Sequence, residues 1–183
     1  MNTVISYFKN TAKKYPDNIA VEDLNGDITY SVLDSLSEKI AGGILAKIPE
    51  ETKNQPVLVY LPKQIESVAS YVAILKTGNP YVPVDYQIPL QRLQTTVDNL
   101  KPVMIIADDA GIETLNAGNF KTDALICRYE DLTNAEENLK KTERIITDVV
   151  DTDPCYVMYT SGTTGVPREL LFHTEALRTT QTG

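Results

Sequence analysis

Two runs, Val57-Leu58-Val59-Tyr60-Leu61 and Val103-Met104-Ile105-Ile106-Ala107, are apolar at every position. A strand with one face in water alternates apolar and polar residues, so a strand with no polar position must be covered on both faces. Such strands belong to sheets held between layers of helix. The stretch between the two runs agrees. Val68, Ala69, Val72 and Leu75 recur at helical spacing up to Gly78, which takes the place where glycine ends a helix. Tyr81-Val82-Pro83-Val84 then reads as extended, with Pro83 excluding it from a central ladder position. Pro89 opens another helix at its first turn, with Leu90, Leu93, Val97 and Leu100 on one stripe. Strand and helix alternate, which predicts an α/β fold with a mainly parallel sheet flanked by helices.

The remaining segments extend this pattern. Val4, Ile5, Phe8 and Ala12 share a helical face over about 3–14, and Pro16 follows. Asn25-Gly26 between Ile19–Glu22 and Asp27–Thr29 is a two-residue hairpin signal. Leu33, Leu36, Ile40 and Ile44 predict a long helix to about Lys47. A short helix with turns is expected over 108–122, and a strand over 124–127. The charged segment 130–153 is expected to be a long surface connection.

A chain of 183 residues is the length of one domain and buries a core without disulfides. Its formal net charge of -8 argues against nucleic acid as a partner, which would call for a basic face, but leaves ATP open. No run approaches the roughly 18 apolar residues of a membrane helix, and the N-terminus lacks the apolar core of a signal peptide. No membrane partner and a cytoplasmic location are therefore expected. Cys127 and Cys155 lie in apolar segments without metal-ligand spacing and read as buried, reduced thiols. His173, the single histidine, has no nucleophile or metal partner beside it in sequence. No catalytic residue and no metal ligand is assigned.

The chemistry concentrates where the apolar run Cys155–Tyr159 breaks into Thr160, Ser161, Gly162, Thr163, Thr164 and Gly165. A hydrophobic core has no use for such a series. It supplies hydroxyl donors and backbone N–H groups that approach a ligand closely, the make-up of an anion-binding concavity. The same composition also suits a flexible linker. The Walker A pattern fails for want of a lysine after either glycine, and the dinucleotide pattern fails because Gly162 and Gly165 have no earlier partner.

What remains, Tyr-Thr-Ser-Gly-Thr-Thr-Gly-x-Pro-Arg, resembles the phosphate loop of the adenylate-forming superfamily: acyl-CoA synthetases, luciferases and the adenylation domains of nonribosomal peptide synthetases. Ile74-Leu75-Lys76-Thr77-Gly78-Asn79-Pro80-Tyr81-Val82-Pro83-Val84-Asp85 is similar to the L-K-A-G-x-A-Y-V-P-I-D segment of the amino-acid-activating branch. Ile28-Thr29-Tyr30-Ser31-Val32-Leu33 is similar to that branch's L-T-Y-x-E-L. Pro89 and Arg92 fit the helix that follows. Lys76–Pro83 and Thr29–Tyr30 are expected to serve architecture, and Arg92 to be an ion-pairing surface or structural arginine.

The resemblance implies that Thr160, Ser161, Gly162, Thr163, Thr164, Gly165 and Arg168 hold the phosphates of ATP. The implied reaction joins a carboxylate, foremost an amino acid, to AMP with magnesium assisting, and passes the acyl group to a carrier-protein phosphopantetheine thiol. Peptide-synthetase modules and D-alanine–carrier protein ligases fit equally. Residues 1–183 would be the N-terminal part of the large adenylation domain, without its C-terminal part or the small lid domain. Such a piece is expected to be inactive alone and prone to self-association. Glu169 departs from the family pattern: it replaces a glycine and brings a negative charge next to an anion site. That residue keeps a second reading open, a truncated or degenerate copy that acts only through binding.

Overall fold

The two apolar pentads become adjacent parallel strands at the centre of the sheet. The computed structural model describes residues 3–161 and 167–173. In chain order its elements are α1 (Val4–Lys14), β1 (Ile19–Asp23), β2 (Gly26–Thr29), α2 (Tyr30–Lys47), β3 (Val57–Tyr60), α3 (Ile65–Lys76), β4 (Tyr81–Pro83), α4 (Leu90–Leu100) and β5 (Met104–Ala107). There follow α5 (Asp109–Ala117), β6 (Leu125–Arg128), α6 (Tyr129–Thr133), α7 (Leu139–Asp148), β7 (Pro154–Ser161) and β8 (Pro167–His173). The main sheet runs β6-β5-β3-β4-β7-β8; every neighbouring pair is parallel except β7 and β8. β1 and β2 form a separate antiparallel hairpin in which Asp23 pairs with Gly26, so the two-residue turn is Leu24-Asn25, one position before the expected Asn25-Gly26.

Alternation along the pentads divides the core in two. Val57, Val59 and Leu61 join Met104 and Ile106 beneath α2, α3 and α6, while Leu58, Tyr60, Ile105 and Ala107 face α4 and α5. All of these residues are buried, as continuous apolar strands require. Helix starts are fixed locally. The Thr3 hydroxyl accepts from the Ser6 N–H while Ser6 accepts from the Thr3 N–H, and Asp108 accepts from the Gly111 N–H at 2.7 Å. The start of α3 has no cap of its own, and Asp23 of the hairpin supplies one by accepting from the Ile65 N–H at 2.9 Å. At the other end of α3, Gly78 takes φ +73°, the left-handed conformation that turns the chain into β4.

Two expectations need correction. β4 lies between β3 and β7, in spite of Pro83. The proline is the last residue of a three-residue strand, and donation to β3 continues past it, from the Val84 N–H to Val59 O at 3.3 Å. The segment 130–153 is no loose surface connection either. It holds α6 and α7, buries Leu132 and Thr142, and lies so close to α2 that a Cβ on Gly43 would stand 2.9 Å from Leu132 backbone.

A buried charge network joins these helices. The Lys76 ammonium, 0% exposed, donates to Asp34 O at 2.8 Å, Asp34 Oδ1 at 2.7 Å and Glu38 Oε2 at 2.8 Å. Glu38 Oε1 accepts from the Thr142 hydroxyl of α7, and the Asp34 carboxylate also accepts from Lys9 of α1. Burial disfavours the charge on Asp34, but Lys76 and Lys9 outweigh it and hold the carboxyl below its ordinary range. Removing one partner of a buried pair strands the other's charge at a cost of about 3–5 kcal/mol, whereas exposed pairs contribute about 0–1 kcal/mol. Lys76→Ala is therefore expected to lower stability in urea unfolding by about 3–5 kcal/mol, and Lys9→Ala by less than about 1 kcal/mol. Equal losses from the two variants would contradict this assignment.

Candidate functional site

The candidate phosphate loop lies within a β-hairpin. β7 carries Thr160 and Ser161 at its end, β8 begins at Pro167, and the ladder pairs Thr160 with Arg168, Ser161 with Pro167 and Tyr159 with Glu169. Gly162, Thr163, Thr164 and Gly165 lie outside the described residues. Thr160, Ser161 and Arg168 are thus brought together by backbone register. β8 was not foreseen from sequence; its signal is the apolar stretch Leu170-Leu171-Phe172 directly after the charged Arg168-Glu169.

The hairpin end stands beyond the carboxyl edge of the sheet. β7 is level with β4 at Tyr156 and Tyr81, so Pro83, where β4 stops, is level with Met158. β7 continues through Tyr159, Thr160 and Ser161, roughly 10 Å further at the usual rise of a strand. Ligands of open α/β sheets bind outside the carboxyl ends, where successive helices leave for opposite faces. β3 and β4 form such a point, since α3 packs on one face and α4 on the other.

Stacked rings hold the hairpin to the rest of the sheet. Tyr71 of α3 stacks on Tyr81 of β4 with centroids 4.5 Å apart, Tyr81 on Tyr156 of β7 at 5.6 Å, and Tyr156 on Phe172 of β8 at 4.4 Å with the rings 2° from parallel. Each such pair contributes about 0.5–1.5 kcal/mol beyond its buried area. Burial, with the nearby Cys155, raises the Tyr81 phenol far above its ordinary range, so the stack is neutral at physiological pH. The Cys155 thiol donates to Phe172 O at 3.1 Å, and burial pushes both Cys155 and Cys127 up, in keeping with inert thiols. The chain enters β7 through Asp153, which accepts from the Val150 N–H at 3.0 Å and Asn54 at 3.1 Å and pairs with Lys53 at 3.0 Å.

The loop from β4 to α4 walls a half-open cavity of about 310 Å³ with Asp85, Gln87, Pro89 and Arg92 on its lining. Arg92, expected to be an ion-pairing surface or structural arginine, forms no ion pair among the described residues. Across the carboxyl edge, the Tyr86 hydroxyl donates to Asp108 Oδ1 at 2.8 Å and its ring lies 5.0 Å from that of Tyr60. Burial and the Asp108 carboxylate push the Tyr86 phenol up to about 12. Sequence reading missed this cluster, because Tyr60, Tyr86 and Asp108 meet only through topology. Among the described residues no group of three or more histidines, cysteines or carboxylates is placed to hold a metal, and no helix is long and apolar enough to cross a membrane. The buried His173 Nδ1 has no hydrogen-bond partner among the described residues.

Residues 8–180 match the sequence profile of a family described as AMP-binding enzyme. The hybrid PKS-NRPS synthetase LUC5 of Fusarium sp is 33% identical over 91% of this chain and 4% of its own length. The Klebsiella oxytoca NpsA N-terminal subdomain, solved with 3-hydroxybenzoyl-AMSN, shares the fold at a TM-score of 0.76 and 19% identity over 95% of this chain and 41% of that one. ATP-bound MatB from Rhodopseudomonas palustris superposes with a TM-score of 0.79 at 20% identity, covering 98% of this chain and 36% of that one. The chain spans no more than 25% of the length of the curated relatives it matches.

A phenol whose ionisation is raised on folding keeps its proton in the native state after the unfolded chain, with an ordinary value near 10, has lost it. Tyr86 therefore contributes its full stability below about pH 10, and that contribution is lost as pH rises through about 12. Urea midpoints followed from pH 9 to pH 12 are expected to fall more steeply for the wild type than for Tyr86→Phe. Parallel curves would contradict the proton assignment.

Proposed function

The chain belongs to the AMP-binding enzyme family, and on that premise we propose that it supplies the phosphate-holding part of an ATP-dependent, adenylate-forming ligase. In the proposed reaction a carboxylate oxygen, foremost that of an amino acid, attacks the α-phosphorus of ATP. The bond to the bridging oxygen breaks, releasing pyrophosphate and leaving an acyl-adenylate. A phosphopantetheine thiol on a carrier protein then attacks the acyl carbon and displaces AMP. Thr160, Ser161, Gly162, Thr163, Thr164, Gly165 and Arg168 cradle the phosphates: hydroxyls and backbone N–H groups donate, and the guanidinium pairs with phosphate oxygens. Mg²⁺ enters as the counter-ion of the ATP phosphates, as part of the substrate.

The observation that carries this reading is the family match over 8–180 together with the end of β7, which projects past the carboxyl edge directly before the Ser/Thr/Gly series. Residues 1–183 are read as the N-terminal part of the large adenylation domain. On that reading the groups that hold the nucleoside and the carboxylate belong to the rest of the domain, and positioning around a transferring phosphorus needs all of these. One residue favours a second reading, a non-catalytic copy: Glu169, opposite Tyr159 in the ladder, brings like charge towards an anion site.

The test is amino-acid-dependent ATP–pyrophosphate exchange in the polypeptide that carries this segment together with the rest of an adenylation domain. Exchange is expected in the wild type, to fall by roughly 100-fold or more when Thr163 and Thr164 are both replaced by Ala, and to rise in Glu169→Gly. No exchange in the wild type or in Glu169→Gly would overturn the catalytic reading in favour of the binding copy. The isolated 183-residue chain is expected to show no melting shift with millimolar ATP.

A further inference from the structure

The loop from β4 to α4 is tied down in an uneven way. Its internal bonds are local: the Gln87 N–H donates to Asp85 Oδ1 at 3.0 Å and the Ile88 N–H to Asp85 O at 2.9 Å. Among the described residues, the single hydrogen bond by which Asp85–Pro89 reach an element other than the flanking strand and helix runs from the Tyr86 hydroxyl to Asp108 Oδ1, at 2.8 Å. Its far end is rigid, because the same oxygen accepts from the Gly111 N–H at 2.7 Å and so caps α5. Behind the loop lies the cavity of about 310 Å³, with Asp85, Gln87 and Pro89 of the loop on one side and Arg92 and Thr96 of α4 on the other. The loop thus joins the cavity wall at one edge and the anchored phenol at the other.

We propose that Asp85–Pro89 form a strap, that the Tyr86–Asp108 hydrogen bond is its latch, and that the latch sets the opening of the cavity between the strap and α4. Tyr86 is then a positioning residue, one that acts on the site through the strap and touches no reacting atom. Its effect on catalysis rests on the adenylate-forming reading; its effect on the strap does not. Release of the phenol leaves the strap held by its own turn, by the Tyr60 ring 5.0 Å away and by the partly buried Ile88 against the core of that face, so the Asp85–Gln87 end opens without loss of the sheet. A turn that is rigid by itself would behave otherwise, since its bonds to Asp85 survive the loss of the hydroxyl.

Amide hydrogen exchange on the wild type, Tyr86→Phe and Asp108→Asn decides the matter. Loss of one such hydrogen bond corresponds to roughly a tenfold change in an opening equilibrium. In Tyr86→Phe, Gln87 and Ile88 amides are expected to exchange about tenfold faster, with β5 and α4 unchanged. Asp108→Asn keeps an acceptor oxygen for the phenol and is expected to retain wild-type protection at Gln87 and Ile88. An unchanged strap in Tyr86→Phe, or a loss of protection spread over the whole sheet, overturns the proposal. The positioning role is read from ATP–pyrophosphate exchange in the longer polypeptide. Tyr86→Phe is expected to raise a substrate KM by roughly threefold or more in a protein that stays folded, within the range of a lost hydrogen bond. Wild-type exchange that Tyr86→Phe leaves untouched overturns the positioning role. A wild type without exchange overturns the adenylate-forming reading instead, and the amide data still decide the strap.

Discussion

A buried ammonium must be neutralised where it sits, and in this chain that requirement falls on Lys76. The residue ends α3 inside the layer of helices, where Asp34 and Glu38 of α2 surround it and Thr142 of α7 completes the shell. Two carboxylates, two ammonium groups and a hydroxyl leave no uncompensated charge once Lys9 is included. The arrangement fixes the relative positions of α1, α2, α3 and α7, which apolar contact alone would leave free to slide. The consequence runs straight on in sequence. Thr77 and Gly78 turn the chain, and Asn79, 1% exposed, accepts from the Gln55 N–H at 2.9 Å while its amide donates to Thr77 O. β4 therefore leaves the helical layer at a set height, and β7 is ranged against β4.

That link explains which parts of the fold were legible. The pentads were, because burial on both faces leaves no polar position in a strand, and no other soluble structure of that length demands the same. The hairpin was legible to within one residue, its turn falling on Leu24-Asn25 with Gly26 opening β2, and the glycine after α3 was legible because it answers a local backbone demand. Segment 130–153 was misread because its attachment to the core depends on Leu132, Thr142 and the close approach at Gly43, none of which produces an apolar run. Pro83 was over-weighted: a missing N–H matters at a strand's middle, and here the proline is the strand's last residue.

The candidate site divides in the same way. Residue types pointed to a phosphate loop or a flexible linker, and their order, through its resemblance to the adenylate-forming pattern, favoured the former. The projection past β4 needed the register of β4 with β7, and the stack from Tyr71 to Phe172 needed four elements in place. The contacts of Tyr86 and Asp108 span β3, β4 and β5, and sequence separation hides them altogether.

The hairpin also explains why this loop is built from hydroxyls without a Walker lysine. A phosphate loop that opens a helix places the anion at the positive end of a macrodipole, with aligned N–H groups to meet it. Here the residues after Ser161 connect two antiparallel strands, and strand dipoles largely cancel. Among the described residues, the hairpin itself offers no comparable field. On the proposed reading, favourable charge must then come from donors within the loop and from one fixed cation. Thr160, Ser161, Thr163 and Thr164 supply hydroxyls, Gly162 and Gly165 allow backbone N–H groups to approach, and Arg168 stands opposite Thr160 in the ladder. A negative charge one step further along β8, at Glu169, weighs more in such a site than it would beneath a helix terminus, because no macrodipole offsets it.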